Sequence, residues 1–245
     1  MAKHDLLRDD TTYVHCNTLQ DSEFRLIAET GGKASIAPEV EQHMGHGPLA
    51  TLKLIKAGVS PTISIDVTTA IGGDMFSAMR ALMMGTRAAD NAEALARHEL
   101  LDPLPLSCRQ VLEFATRAGA YANGLDDTVG SITVGKAADL VMIDTNALNL
   151  FPINNAANAV VEAAHRGNVD SVFVAGRAVK RGGTLLGVDL GELRARVESA
   201  RDKLLARSGV GDSERGARTV SRALNLAPEK TFVIRRSVIS SQRAV

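Results

Sequence analysis

Between Thr11 and Arg87 the chain repeats one pattern three times: a short β-branched run, then a segment with apolar residues at helical spacing. Thr11–Cys16 (TTYVHC) predicts a strand, and Leu19–Thr30 a helix stopped by Gly31-Gly32. Lys33–Pro38 predicts the second strand, and Gly47–Ala57 its helix, with Pro48 near the start and Gly58 just past the end. Ser60–Asp66 predicts the third strand, and Asp74–Arg87 an amphipathic helix with Asp74 as its N-cap. The order βαβαβα predicts an α/β fold in which parallel strands are covered by the helices that connect them.

After the Leu- and Pro-rich LLDPLPL segment ending at Leu106, a helix is expected from about Ser107 to Ala122, and the pattern then changes. Thr128–Asp144 combines glycine turns with short β-rich runs, and Ser171–Val179 reads as a hairpin around Ala175-Gly176. Leu190–Arg207 predicts a charged amphipathic helix, and the basic, irregular stretch beyond Ser208 is expected to be only partly ordered. The expected divisions are residues 1–122 for the βα part, 123–187 for a small β module, and 188–245 for the helix and tail.

Lys+Arg and Asp+Glu both number 28, so nothing in the charge balance points to nucleic acid or an acidic membrane surface, and a small-molecule partner is the expectation. The two cysteines, Cys16 and Cys108, are far apart and form no C-x-x-C, so neither a disulfide framework nor a thiolate zinc site is indicated. The polar N-terminus MAKHDLLRDD has no apolar signal core, and no apolar run nears the ~20 residues of a membrane span. Cytoplasmic residence is the corresponding expectation.

His15 ends its predicted strand and Asp66 ends another two βα units later, so parallel strands would bring both to one rim. That rim is where α/β proteins bind ligands, which makes the pair candidates for metal binding or acid/base chemistry. Helix capping and structural hydrogen bonding are the other uses of a strand-end His or Asp. His43 and His46 have a spacing that could share an ion, but Met44-Gly45 and Gly47-Pro48 mark a tight loop rather than a ligand helix, and a loop side chain hydrogen-bonded to backbone is the plainer reading of His46. Thr68 and Thr69 could touch a substrate or cap a turn. Met75, Met79, Met83 and Met84 form a helix face suited to core packing, and His4, His98 and His165 are read as surface residues.

The ordered string VHCNTL, SIAPEVEQHMGHGP, IDV with GGDMFSAMR, and GSITVGKAADLVMID resembles the amidohydrolase superfamily over roughly Thr11–Lys180. The likeness is to the branch containing triazine chlorohydrolases and cytosine, guanine and adenosylhomocysteine deaminases. The resemblance implies the C-terminal part of a (βα)8 TIM barrel plus part of a small β-sandwich. It places Gly130, Ser131, Gly135, Lys136, Ala138, Asp139, Leu140 and Val141 in the return to that sandwich, as structural residues. It makes His15 the sixth-strand histidine beside the attacking water or the substrate, and Asp66 the eighth-strand aspartate that binds the metal and takes the water's proton. Glu39, His43 and His46 would then line the substrate pocket.

The implied reaction is hydrolysis of a non-peptide C–N or C–Cl bond in a cyclic, heteroaromatic molecule, with one divalent metal, zinc or iron, as cofactor. The family's His-x-His pair and fifth-strand histidine have no counterpart in this sequence, so about half the barrel is expected to be absent and metal binding to be weak. Three βα units cannot close a barrel, and an open strand edge would seek a partner, either another copy of the chain or a complementing N-terminal segment. A catalytically silent remnant and one half of a split enzyme are the other readings of the same pattern.

Overall fold

The computed structural model describes His4 and Leu6–Ser208; the basic tail beyond Ser208 lies outside the described residues. The chain divides into two units, the first ending at Leu186 and the second beginning at Gly187.

In the first unit, β1 (Thr12–Val14), β2 (Lys33–Ile36) and β3 (Pro61–Ile63) form a parallel sheet in the order β1-β2-β3. Thr12 pairs with Lys33, Val14 with Ser35, Ala34 with Pro61, and Ile36 with Ile63. The crossovers are helical: α1 (Asp21–Glu29) joins β1 to β2, and α2 (Pro38–His43) with α3 (Thr51–Lys56) joins β2 to β3. All three strands therefore end at the same rim. α1 opens where the Glu23 carboxylate accepts the Gln20 backbone N–H at 2.8 Å, and it turns Phe24 and Ile27 inward. α2 begins with Pro38, whose fixed φ suits a first helical position, and was not anticipated from the strand and helix pattern.

α4 (Met75–Ala96) starts where expected, with Asp74 Oδ1 accepting the Ser77 backbone N–H at 3.0 Å, but runs well past Arg87. Its methionine face is split: Met79 and Met83 are buried, whereas Met84 is exposed. Instead of one helix from Ser107 to Ala122 there are two, α5 (Cys108–Phe114) and α6 (Arg117–Ala122). The break falls at Thr116, whose hydroxyl donates to the Leu112 carbonyl at 2.7 Å while its backbone leaves the helical region.

A second, antiparallel sheet runs β4 (Leu140–Ile143), β5 (Val169–Val174), β6 (Arg177–Arg181) and β7 (Thr184–Leu185) in that order. Between β4 and β5 lie α7 (Ala156–Asn158), a π turn (Ala159–Ala163) and a 3-10 turn (Arg166–Asn168). β5 and β6 make the expected hairpin: Ala175 and Gly176 both have positive φ, the two-residue turn whose twist matches its strands. In the GKAADL stretch, Asp139 Oδ1 accepts the Ala175 backbone N–H at 2.7 Å, and Lys136 Nζ donates to the Val129 carbonyl at 3.1 Å. Gly130 has φ 84°, and a Cβ there would stand 2.5 Å from that of Ala120, so glycine is required on two counts. These residues hold turns together.

Two apolar clusters fill the first unit. One gathers Ile63, Leu82, Met83, Val111, Phe114 and Val161; the other gathers Cys16, Phe24, Ile27, Ile36, Leu54 and Val59. The second draws its residues from β2, α1, α3 and the loops beside them. In the second unit, α8 (Leu190–Ser208) is a single charged helix close to its expected span. Among the described residues no helix is long and apolar enough to cross a membrane.

Candidate functional site

The last hydrogen bonds of the parallel sheet bring two loops to one rim. The His15 backbone N–H donates to Ser35 O at 2.9 Å, and that of Ser64 donates to Ile36 O at 2.8 Å. Directly beyond these bonds the backbone turns left-handed at His15 (φ 69°), Cys16 (φ 65°) and Asp66 (φ 64°). A non-glycine residue in that region stores about 1–3 kcal/mol and persists only where its surroundings over-determine it. Such strain clusters at binding and catalytic sites.

His15 and Asp66, predicted to share a rim, approach with Nε2 and Oδ2 3.8 Å apart, each side chain about one third exposed. That gap exceeds a hydrogen bond. Two donors on one tetrahedral zinc stand roughly 3.3 Å apart, so a small adjustment would let both atoms address the same ion or water. The His46 ring meets the His15 ring edge-on, with centroids 5.4 Å apart. Glu39 is half-buried and turned toward the start of α4, where its Oε2 accepts the Ser77 hydroxyl at 2.9 Å. His43 is exposed at the last position of α2, and among the described residues no hydrogen bond or ring contact joins it to the cluster. Thr68 and Thr69 lie exposed on the loop after Asp66.

Sequence reasoning passed over Glu41. Its carboxylate is fully buried: Oε1 accepts the Ala37 backbone N–H at 2.7 Å and lies 3.0 Å from His15 Nδ1, while Oε2 accepts the Asn17 amide at 3.1 Å. Asn17 also donates to Pro48 O at 3.1 Å. The available signal was the i, i+3 spacing of Pro38 and Glu41, which puts the two on one face once a helix begins at Pro38.

Cys16 follows His15 but faces the core, and its thiol pKa is pushed up to about 11, by burial first and by the Glu41 carboxylate second. Cys108 is pushed up as well, chiefly by burial. A thiol held protonated is a poor nucleophile. In the folded chain neither cysteine is expected to react with a thiol reagent at neutral pH, and both should react in denaturant. Rapid labelling of Cys16 in the native chain, read by mass spectrometry, would show that its loop is open.

For a metal, this chain offers Asp66 and His15, and among the described residues no group of three or more His, Cys, Asp or Glu could hold an ion. Catalytic zinc takes three protein ligands and an open position. The residues present meet that requirement in part and do not form a metal centre by themselves. A cavity of about 490 Å3, lined by Ser60, Glu113, Arg117, Tyr121 and Lys136 among others, opens beside Ser60, which precedes β3. It therefore lies toward the opposite end of the strands from His15 and Asp66.

The sequence model of the amidohydrolase family matches residues 1–179. A 5-methylthioadenosine/S-adenosylhomocysteine deaminase from Moorella thermoacetica is 33% identical over 186 residues, 75% of this chain and 41% of that protein. A 5'-deoxyadenosine deaminase from Methanobrevibacter smithii is 29% identical over 202 residues, covering 81% of this chain and 44% of that protein. Among solved structures, an adenosine deaminase from Xanthomonas campestris with bound zinc superposes with a TM-score of 0.74 at 30% identity, over 84% of this chain and 45% of that one. An atrazine chlorohydrolase from Arthrobacter aurescens, complexed with zinc, shares the fold with a TM-score of 0.68 at 22% identity, over 81% of this chain and 42% of its own. The chain thus spans somewhat less than half the length of the curated relatives it matches.

Proposed function

The chain belongs to the amidohydrolase family, and from that membership we propose that it carries the late-strand part of a metal-dependent site hydrolysing a C–N bond on a heteroaromatic ring. The substrate class we propose is a purine nucleoside of the 5'-substituted adenosine kind, from the activities for which the relatives are named. The observation that carries the proposal is the meeting of His15 and Asp66 at 3.8 Å across the rim formed by β1, β2 and β3.

Deamination adds water to a ring carbon and expels ammonia, so one proton must leave the water and one must reach the departing nitrogen. Asp66, on a part-exposed loop, is placed to hold that proton and hand it on. His15 Nε2 stands on the same side and orients the water or the ring's reacting edge. His46 lies against the His15 ring, and Glu39 and His43, on α2 beside the rim, are assigned to substrate contact by the family likeness alone. A divalent metal, zinc or iron, bound with Asp66 among its ligands, would supply a Lewis acid that makes water nucleophilic near neutral pH.

Two donors are too few for that metal, so the reading includes a second requirement: further ligands come from outside the described residues, by a complementing segment or partner chain. The test is complementation. The part of the Moorella thermoacetica deaminase outside the matched region would be co-expressed with this chain, the complex purified with zinc, and ammonia release measured from 5'-deoxyadenosine and methylthioadenosine. Release by the complex and none by this chain alone is expected. A purified, zinc-loaded complex without turnover would overturn the assignment, and turnover by the chain alone would overturn the need for outside ligands.

A further inference from the structure

We propose that Glu41 is the positioning residue of this site, fixing His15 as the Nδ1–H tautomer so that the unprotonated Nε2 is the nitrogen presented toward Asp66. The inference rests on the reading of His15 as a site residue.

Glu41 sits on α2 with no exposed surface, and both carboxylate oxygens are used within a few residues of the reactive rim. An ionised carboxylate only accepts hydrogen bonds. The 3.0 Å contact between its Oε1 and His15 Nδ1 therefore requires the hydrogen on Nδ1, which in a neutral ring leaves Nε2 bare. That bare nitrogen is the one 3.8 Å from Asp66 Oδ2. The rest of the loop is pinned from the same direction. Glu41 Oε2 accepts the Asn17 amide at 3.1 Å, Asn17 reaches Pro48 O at 3.1 Å, and Glu41 Oε1 is tied to its own helix by the Ala37 N–H at 2.7 Å. A carboxylate anchored to α2 thus holds both the ring of His15 and the loop whose backbone is left-handed at φ 69°. Histidines that must offer one nitrogen to a ligand or substrate are commonly fixed through the other by a carboxylate. Here Glu41 does so from the helix after β2, 26 positions along the chain.

Long-range proton–nitrogen correlation spectra of the imidazoles in the 15N-labelled full chain test this directly. They would be recorded without metal or substrate, about two pH units above the ordinary histidine value of ~6.5, with His15 assigned by difference against a His15→Gln sample. The expected pattern for His15 is a protonated, pyrrole-type Nδ1 and a pyridine-type Nε2. In Glu41→Ala the pattern should average or invert to Nε2–H, with the backbone amide spectrum otherwise preserved. A wild-type His15 protonated on Nε2 would overturn the proposal, as would a Glu41→Ala spectrum with the His15 tautomer unchanged. If the alanine variant does not fold, the wild-type tautomer decides alone. The readout is independent of turnover: an Nδ1–H ring in a complemented complex that hydrolyses nothing would sink the hydrolase reading and leave this inference standing. A turnover-competent complex with Nε2–H would do the reverse.

Discussion

In a complemented preparation that releases ammonia, Asp66→Asn is expected to lower kcat by roughly 10²- to 10⁴-fold, the usual contribution of a positioned proton carrier. Asparagine is the informative replacement. Asp66 has φ 64°, a left-handed conformation that Asn tolerates and that would strain alanine, so the loop should survive the change. The amide keeps the shape and removes the ability to hold the transferred proton. KM should change far less than kcat, and the thermal midpoint should stay near that of the parent chain. Near-parental turnover by the Asn variant would remove Asp66 from the mechanism.

Truncating Phe24 to alanine is expected to destabilise the chain by about 3–5 kcal/mol, read as a lowered urea midpoint. Phe24 is 1% exposed, and its cluster contains Cys16, Ile36 and Leu54. Against a domain stability of about 5–15 kcal/mol, that loss alone would populate the unfolded state appreciably. The site should suffer as well, because Cys16 is the neighbour of His15 and is packed by the same residues. A loss under ~1 kcal/mol would mean that α1 does not pack on the sheet as described.

How far this architecture was legible in the sequence varies by element, for physical reasons. β1, β2 and β3 were readable because β-branched runs alternate with helical periodicity, although each strand is two to four residues shorter than its apolar run. Pairing requires a partner on the neighbouring strand, which local composition does not reveal. The start of α4 was readable because an N-cap is a local interaction: Asp74 reaches the Ser77 backbone N–H three residues on. The hairpin at Ala175-Gly176 was readable for a similar reason. The break between α5 and α6 was not, since apolar periodicity continues through Thr116, where the backbone leaves the helical region and the hydroxyl bonds to Leu112 O. Nor was α2, a six-residue helix too short to show a period.

The sequence by itself determined the parallel order of the first three strands and, through it, that His15 and Asp66 would leave the sheet at one rim. A parallel sheet sends all its strand ends the same way, so position along the chain is enough. It also carried the family likeness, since the ordered motifs lie in the sequence itself. Only the tertiary structure decided which atoms meet: that His15 Nε2 faces Asp66, that His46 lies against the His15 ring, that Glu39 turns toward Ser77, and that a buried Glu41 holds His15 Nδ1. Those contacts join residues far apart in the chain, and they depend on how α2 packs at the strand ends. No local periodicity encodes that packing.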